Sequence, residues 1–119
     1  GQFDATSFDP LAVPALLMTG SEDGGFQGQP AAWRREGYDL MPPGDKYFLS
    51  LVGAGHLHFA AGLATIARMD THRIMTALTV AFLRVHLGVD ADAAVLYLNA
   101  AYAAGLTGAA IPAVSWSEK

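Results

Sequence analysis

The chain contains no cysteine and few basic residues. Without cysteine it has neither a disulfide framework nor a thiol nucleophile, and its redox compartment stays undetermined. Lysine and arginine together number seven, the net charge at pH 7 is −4, and the only adjacent basic pair, Arg34-Arg35, is followed by Glu36. No basic stripe exists to neutralise phosphates, so we expect no nucleic-acid partner.

Charge of either sign is scarce. Charged residues make up 15% of the 119 residues and hydrophobic residues 52%, whereas average globular chains carry about 25% charged residues. A domain this small has much surface for its volume and should be more polar than average. We therefore expect a single partial domain, residues 1–119, whose apolar surface is covered by a missing upstream portion, by another copy in a homo-oligomer, or by both.

A secretory signal and a membrane span are both disfavoured. The first residues have neither a basic region nor an apolar region, so we expect no signal peptide in them. The window Ala93–Ser117 carries no charge and meets the length of a membrane span. It is rich in alanine and contains Asn99, two glycines and Pro112, which favours a buried helix followed by a tail. We expect no membrane partner, and the compartment remains unknown.

The chain contains two apolar runs, and each is followed by a turn that carries one side chain of a type used in catalysis. Val13–Gly20 precedes the loop with Asp23, and Lys46–Val52 precedes the glycine turn with His56. Apolar runs without alternation are typical of strands buried on both faces. A crossover helix from Pro30 to Glu36, stopping at Gly37, would make these strands parallel. Functional groups gather at the carboxyl ends of such strands.

Four further elements are predicted after His56. The first two are a loop or short helix at 57–62 and a helix that starts at Asp70 or Thr71 and runs to about Leu87. The last two are a helix from Ala93 to about Ala104, capped by Asp90 or Asp92, and an extended tail, Ile111–Trp116. In the long helix, Ile74, Leu78, Phe82 and Val85 recur at helical spacing, and Val80, Leu83 and Leu87 widen the stripe. Such a helix is expected to pack flat on a sheet.

The motifs V-P-A-L-L-M-T-G-S-E-D and D-K-Y-F-L-S-L-V-G-A-G-H resemble the last third of an α/β-hydrolase, closest to the dienelactone-hydrolase-like and polyester-hydrolase-like esterases. The resemblance covers roughly residues 9–90, with 91–119 as an extra helix and tail. In that superfamily the triad runs in the order serine, acid, histidine. The resemblance implies an α/β fold, Asp23 as the acid, His56 as the base, and a small ester as the substrate. We expect no cofactor and no metal.

The nucleophile elbow of that family, G-x-S-x-G, is not found in the chain. The serines are Ser7, Ser21, Ser50, Ser115 and Ser117, and none has glycine two residues before and two after. Ser50 sits inside a predicted strand, without the exposed elbow geometry or nearby oxyanion donors. We therefore expect the chain to be the C-terminal, acid- and base-bearing part of a serine esterase, inactive alone. The alternative is a non-catalytic, hydrolase-like oligomeric or binding module.

Each catalytic assignment has a rival. Asp23 could be a turn aspartate that caps backbone amides, and Glu22 is the fallback acid. His56 could be a loop histidine bonded to a carbonyl, with His58 as the fallback base. His56, His58 and Asp23 could also hold a metal, although zinc sites normally need three or four ligands and the two histidines share a face only in an extended segment.

Two further groups of side chains lie outside this pair, the histidines of the long helix and the aromatic residues near the acid loop. His72 and His86 lie on or near the polar side of the long helix and are expected to be solvated. Phe26 and Trp33 flank the acid loop, where they either line an acyl or aromatic pocket or simply pack the crossover helix.

Overall fold

The two predicted strands form and lie side by side in the same direction. In the computed structural model, which describes residues 3–60 and 65–119, β1 is Ala15–Gly20 and β2 is Lys46–Leu51. They pair in parallel, from Ala15 opposite Lys46 to Gly20 opposite Leu51. The tail supplies β3, Val114–Glu118, which pairs antiparallel with β2, so the sheet order is β1-β2-β3. The described chain thus combines helices with a mixed sheet and has α/β character.

The crossover between β1 and β2 is helical but longer than predicted. A 3₁₀ helix, Ala31–Arg35, continues directly into α1, Glu36–Leu40. Gly37 does not end the helix. It lies inside α1, where a Cβ would only come into ordinary contact with neighbouring side chains at 3.7–3.8 Å. The helix ends instead at Leu40, and its C-cap, Met41, is extended because the following Pro42 disfavours the helical region for the residue before it.

The long helix starts a turn earlier than predicted. It is α2, Ile66–His86, and its N-cap is Thr65, whose hydroxyl accepts the Arg68 N–H at 3.2 Å. Asp70 and Thr71 therefore lie inside the helix and do not cap it. His56–His58 forms a 3₁₀ turn, while residues 61 and 62 of the predicted loop at 57–62 lie outside the described residues.

Asp70 has a tertiary role instead of a capping role. Its carboxylate accepts hydrogen bonds from Arg73 at 3.0 Å and from the Ala110 N–H at 3.1 Å. These bonds, the one from Arg73 above all, hold the pKa of Asp70 below its usual value. The contact ties α2 to the loop that leads into β3.

The predicted helix Ala93–Ala104 is broken in two. The pieces are α3, Ala93–Tyr97, and α4, Ala100–Gly105. Between them Asn99 is extended, and its side chain accepts the Tyr102 N–H at 2.9 Å as an N-cap. Asparagine favours this capping role over a helix interior, so it restarts the helix.

The core lies between one face of the sheet and α2. Its fully buried members come from β2, α2, α4 and nearby loops: Leu49, Leu51, Ala54, Ile74, Leu78, Ala103 and Ile111. Ile74 and Leu78 confirm the predicted stripe. Val80, Leu83 and Leu87 are exposed, so the predicted widening of that stripe is wrong for the described chain. None of the helices in the described residues is long and apolar enough to cross a membrane.

The two histidines of α2 differ in environment. His72 is exposed as predicted, but His86 is not simply solvated. Its ring centroid lies 4.7 Å from that of Phe82 and 5.9 Å from that of Tyr47, with the rings tilted in both pairs, and its Nε2 is buried without a partner in the described chain. Burial also raises the pKa of Tyr47 to about 12.

Gly20, the last residue of β1, allows the closest approach between the two strand ends. A Cβ at Gly20 would collide with the Ala54 carbonyl oxygen and lie 2.7 Å from the Ala54 Cβ. The obstacle is backbone, which has no rotamer to change. Only glycine therefore lets the loop after β2 pack onto the end of β1 as it does.

We predict that Gly20→Ala destabilises the fold by about 1–3 kcal/mol, because overpacking forces the backbone to shift. Gly105→Ala is the matched control, since nothing lies within 4 Å of a Cβ there and its φ is ordinary. Urea unfolding followed by circular dichroism measures both. Equal unfolding midpoints for the two variants would contradict the role given to Gly20.

Candidate functional site

The register of the sheet brings the two loops to the same edge. Gly20 and Leu51 are opposite each other, so β1 and β2 end at the same level. The Ser21 N–H donates to the Leu51 carbonyl at 2.9 Å and the Glu22 N–H to the Ala54 carbonyl at 3.0 Å. These backbone bonds join the loop after β1 to the loop after β2.

A side-chain hydrogen bond and a glycine turn also hold the loop after β1 against the loop after β2. The Ser21 hydroxyl accepts the Gly53 N–H at 2.9 Å. Gly53 has a φ of 84°, a left-handed conformation that glycine adopts without steric cost. The chain can therefore turn sharply after β2 and direct His56 back over the end of β1.

At this edge the carboxylate of Asp23 and the imidazole of His56 meet. Oδ1 of Asp23 lies 3.0 Å from Nδ1 of His56, so the predicted proximity of the two side chains is confirmed. Because an ionised carboxylate only accepts hydrogen bonds, this contact is a hydrogen bond in the tautomer that carries the proton on Nδ1. The other ring nitrogen, Nε2, is then free to accept a proton.

The two side chains differ in burial. Asp23 is 6% exposed, whereas half of the His56 side chain is exposed. The second carboxylate oxygen, Oδ2, accepts the Thr19 hydroxyl at 2.9 Å. The Asp23 carboxylate is thus fixed by a hydrogen bond from β1, while the His56 imidazole is accessible to solvent.

Arg34, like Thr19, is a residue of this site that the sequence did not reveal. Its Nη2 donates to Oδ1 of Asp23 at 3.1 Å, and its Nε donates to the Asp23 carbonyl at 3.1 Å. The same Nη2 lies 3.5 Å from Nδ1 of His56. The cation and the imidazole therefore share one carboxylate oxygen. The sequence Arg34-Arg35 does not predict which arginine contacts Asp23, because this depends on how the 3₁₀ helix is oriented against the acid loop.

The two aromatic residues of the acid loop take separate places. The exposed Phe26 ring meets the His56 ring edge-on, with centroids 5.3 Å apart. Trp33 lies under the Arg34 guanidinium, 4.8 Å from the ring centroid. It borders a cavity of about 290 Å³ with Phe3 and other apolar side chains. Phe26 is not among the residues that line this cavity.

The fallback residues have other arrangements. Glu22 is exposed, and its backbone rather than its side chain joins the two loops. Nδ1 of His58 accepts the Gly55 N–H at 2.7 Å, which closes the 3₁₀ turn. Because His56 and His58 lie in this turn, they do not share the face that an extended segment would give. Among the described residues, no group of three or more histidine, aspartate or glutamate side chains is placed to hold a metal ion.

Comparison with protein-family models, with curated proteins and with solved structures finds no match for this chain.

We predict that Arg34→Gln destabilises the protein by about 1–3 kcal/mol, because it leaves a nearly buried carboxylate without its cation. Arg84→Gln is the matched control. Its pair with Asp90 is largely exposed, and such pairs contribute about 0–1 kcal/mol. Thermal unfolding at pH 7 measures the loss of stability in each variant. Equal losses would show that the ion pair between Arg34 and Asp23 contributes no more than an exposed ion pair.

Proposed function

We propose that this chain carries the acid and the base of an esterase-type serine hydrolase of the α/β-hydrolase kind, related to dienelactone-hydrolase-like and polyester-hydrolase-like enzymes. The single observation that carries the proposal is the 3.0 Å contact between Asp23 and His56 beyond the carboxyl ends of two adjacent parallel strands. This is the edge where α/β sheets gather functional groups. The acid-before-base order is also that of α/β-hydrolases.

The proposed chemistry assigns each group one task. A serine hydroxyl attacks the ester carbonyl while Nε2 of His56 accepts its proton. Asp23, through Nδ1–H, stabilises the imidazolium that forms. The imidazolium then donates the same proton to the departing alcohol oxygen, which leaves an acyl-serine ester. Water attacks this ester with His56 again as base, and the serine and a free carboxylic acid are released.

The nucleophile is proposed to come from polypeptide outside residues 1–119. Ser21 is already bonded to Gly53, and Ser50 lies within β2, so neither has the position of a nucleophile elbow. No G-x-S-x-G occurs in the sequence. By this proposal the chain alone does not turn over esters.

The open edge of β1 is consistent with such an additional partner. Within the described residues β1 pairs only with β2, and its residues Ala15–Gly20 carry neither charge nor proline. Unprotected edges of this kind favour pairing with another strand. We propose that either the upstream part of the fold or a second copy of the chain covers it.

Arg34 favours a second candidate function. Since Arg34 and Thr19 already satisfy the Asp23 carboxylate, the acid loop is held together without help from His56. A non-catalytic, hydrolase-like binding or oligomeric module needs nothing more. In that alternative, Asp23 is a structural ion-pair partner and His56 an accessible loop histidine.

The test is to read the coding sequence upstream of residue 1 and to express the extended protein. We predict a G-x-S-x-G serine that reacts with a fluorophosphonate probe. We expect His56→Ala and Asp23→Asn to slow labelling by roughly a thousandfold or more, because the serine loses its base or the base loses its tautomer. His72→Ala is the control, since His72 is exposed on α2, and it should label at the unaltered rate.

Two results would overturn the proposal in favour of the non-catalytic module. One is an upstream sequence without such a serine. The other is labelling that proceeds equally fast in His56→Ala. Labelling of any serine within residues 1–119 would contradict the placement of the nucleophile.

A further inference from the structure

The two faces of the sheet have different chemistry. The face toward α2 is apolar and carries Leu49 and Leu51. On the opposite face, the register aligns Thr19 with Ser50 and Ser50 with Ser115. Three hydroxyl side chains therefore form a row across three adjacent strands, here called the hydroxyl row. With strands about 4.8 Å apart, this row spans roughly 10 Å.

The helix over this face leaves a space above the hydroxyl row. The cavity has a volume of about 330 Å³, close to the lower end for small-molecule sites. Two alanines of the 3₁₀ helix, Ala31 and Ala32, form part of its wall, and their methyl groups are too small to fill the gap. The other lining residues are the hydroxyl row, Gly20, Ser21, Arg35 and Phe48.

Much of the hydrogen-bonding capacity around this cavity is unused. Within residues 3–60 and 65–119, the side-chain hydroxyls of Ser50 and Ser115 have no hydrogen-bond partner. Arg35 uses Nε for Asp39 and Nη1 for Ser117, so its Nη2 is not bonded within the same residues. The Asp39 side chain is more than half exposed, so it offsets the positive charge of Arg35 only weakly.

We propose that this cavity binds a small hydroxylated carboxylate. Ser50 and Ser115 can each donate to and accept from ligand hydroxyl groups, whereas Thr19 can only accept, since its hydroxyl proton is donated to Asp23. Arg35 supplies the one positive charge, which suits a single carboxylate. The Arg35 guanidinium lies over the Phe48 ring, 5.1 Å from its centroid, so the cation and an apolar ring border the cavity side by side. The site does not depend on the function proposed for Asp23 and His56, although Thr19 belongs to the row and also bonds Asp23.

The test uses three matched compounds. Threonate has three hydroxyl groups and one carboxylate, butyrate lacks the hydroxyl groups, and threitol lacks the carboxylate. Each is titrated into the ¹⁵N-labelled chain, and the amide signals are followed by NMR. We expect saturable shifts at the hydroxyl row with threonate in the millimolar range. Butyrate and threitol should bind about tenfold more weakly, since each loses one set of contacts.

Variants separate the polar contacts from the shape of the cavity. Ser50→Ala and Arg35→Gln should each weaken threonate binding at least fivefold, whereas Thr107→Val, whose hydroxyl bonds the Ala104 carbonyl elsewhere, should leave it unchanged. Ala31→Leu should abolish binding by filling the space while the hydroxyl row stays intact. A well-dispersed spectrum for each variant verifies that it is folded.

The results distinguish this proposal from the hydrolase proposal. His56→Ala should bind threonate as tightly as the unaltered chain, because His56 does not line the cavity. The inference is overturned if threonate gives no saturable shifts, if butyrate or threitol binds as tightly as threonate, or if Ala31→Leu still binds.

Discussion

The site depends on one backbone constraint, the close packing of the loop after β2 against the end of β1. Gly20 makes this approach possible because any Cβ there would collide with Ala54. The backbone bonds from Ser21 to Leu51 and from Glu22 to Ala54 then join the two loops. Because short backbone contacts set the spacing, the distance between Asp23 and His56 does not rely on long, mobile side chains. Such rigid support is what a preorganised pair of groups requires.

The second determinant is the way in which a nearly buried carboxylate is satisfied. Asp23 receives a hydroxyl from β1, a guanidinium from the crossover helix and an imidazole from the loop after β2. Burial of a charge without such partners is costly. The Arg34 cation shares Oδ1 with His56, so part of the negative charge that would stabilise an imidazolium is already compensated. Arg34 and His56 thus compete for the same carboxylate oxygen. This competition favours the non-catalytic module, in which Asp23 is the ion-pair partner of Arg34, over the hydrolase, in which Asp23 stabilises the His56 imidazolium.

Much of this arrangement was predictable from local signals. The uninterrupted apolar runs that became Ala15–Gly20 and Lys46–Leu51, each followed by a glycine turn, were enough to predict parallel strands and neighbouring functional groups. What could not be predicted depends on contacts distant in sequence or on competing local bonds. Arg34 reaches Asp23 only because a 3₁₀ helix directs it there. The extended conformation of the tail was predicted, but its antiparallel pairing with β2 was not. Asn99 broke a predicted helix, because its side chain bonds the backbone of Tyr102.

The claim that most of this account rests on is the hydrogen bond between Nδ1 of His56 and the Asp23 carboxylate. Long-range ¹H–¹⁵N correlation NMR of the histidine rings at pH 8 measures it directly, with the exposed His72 as an internal reference. We predict that His56 is held as the Nδ1–H tautomer and that Asp23→Asn abolishes this preference. A His56 ring mainly protonated on Nε2, or one unaffected by Asp23→Asn, would contradict it.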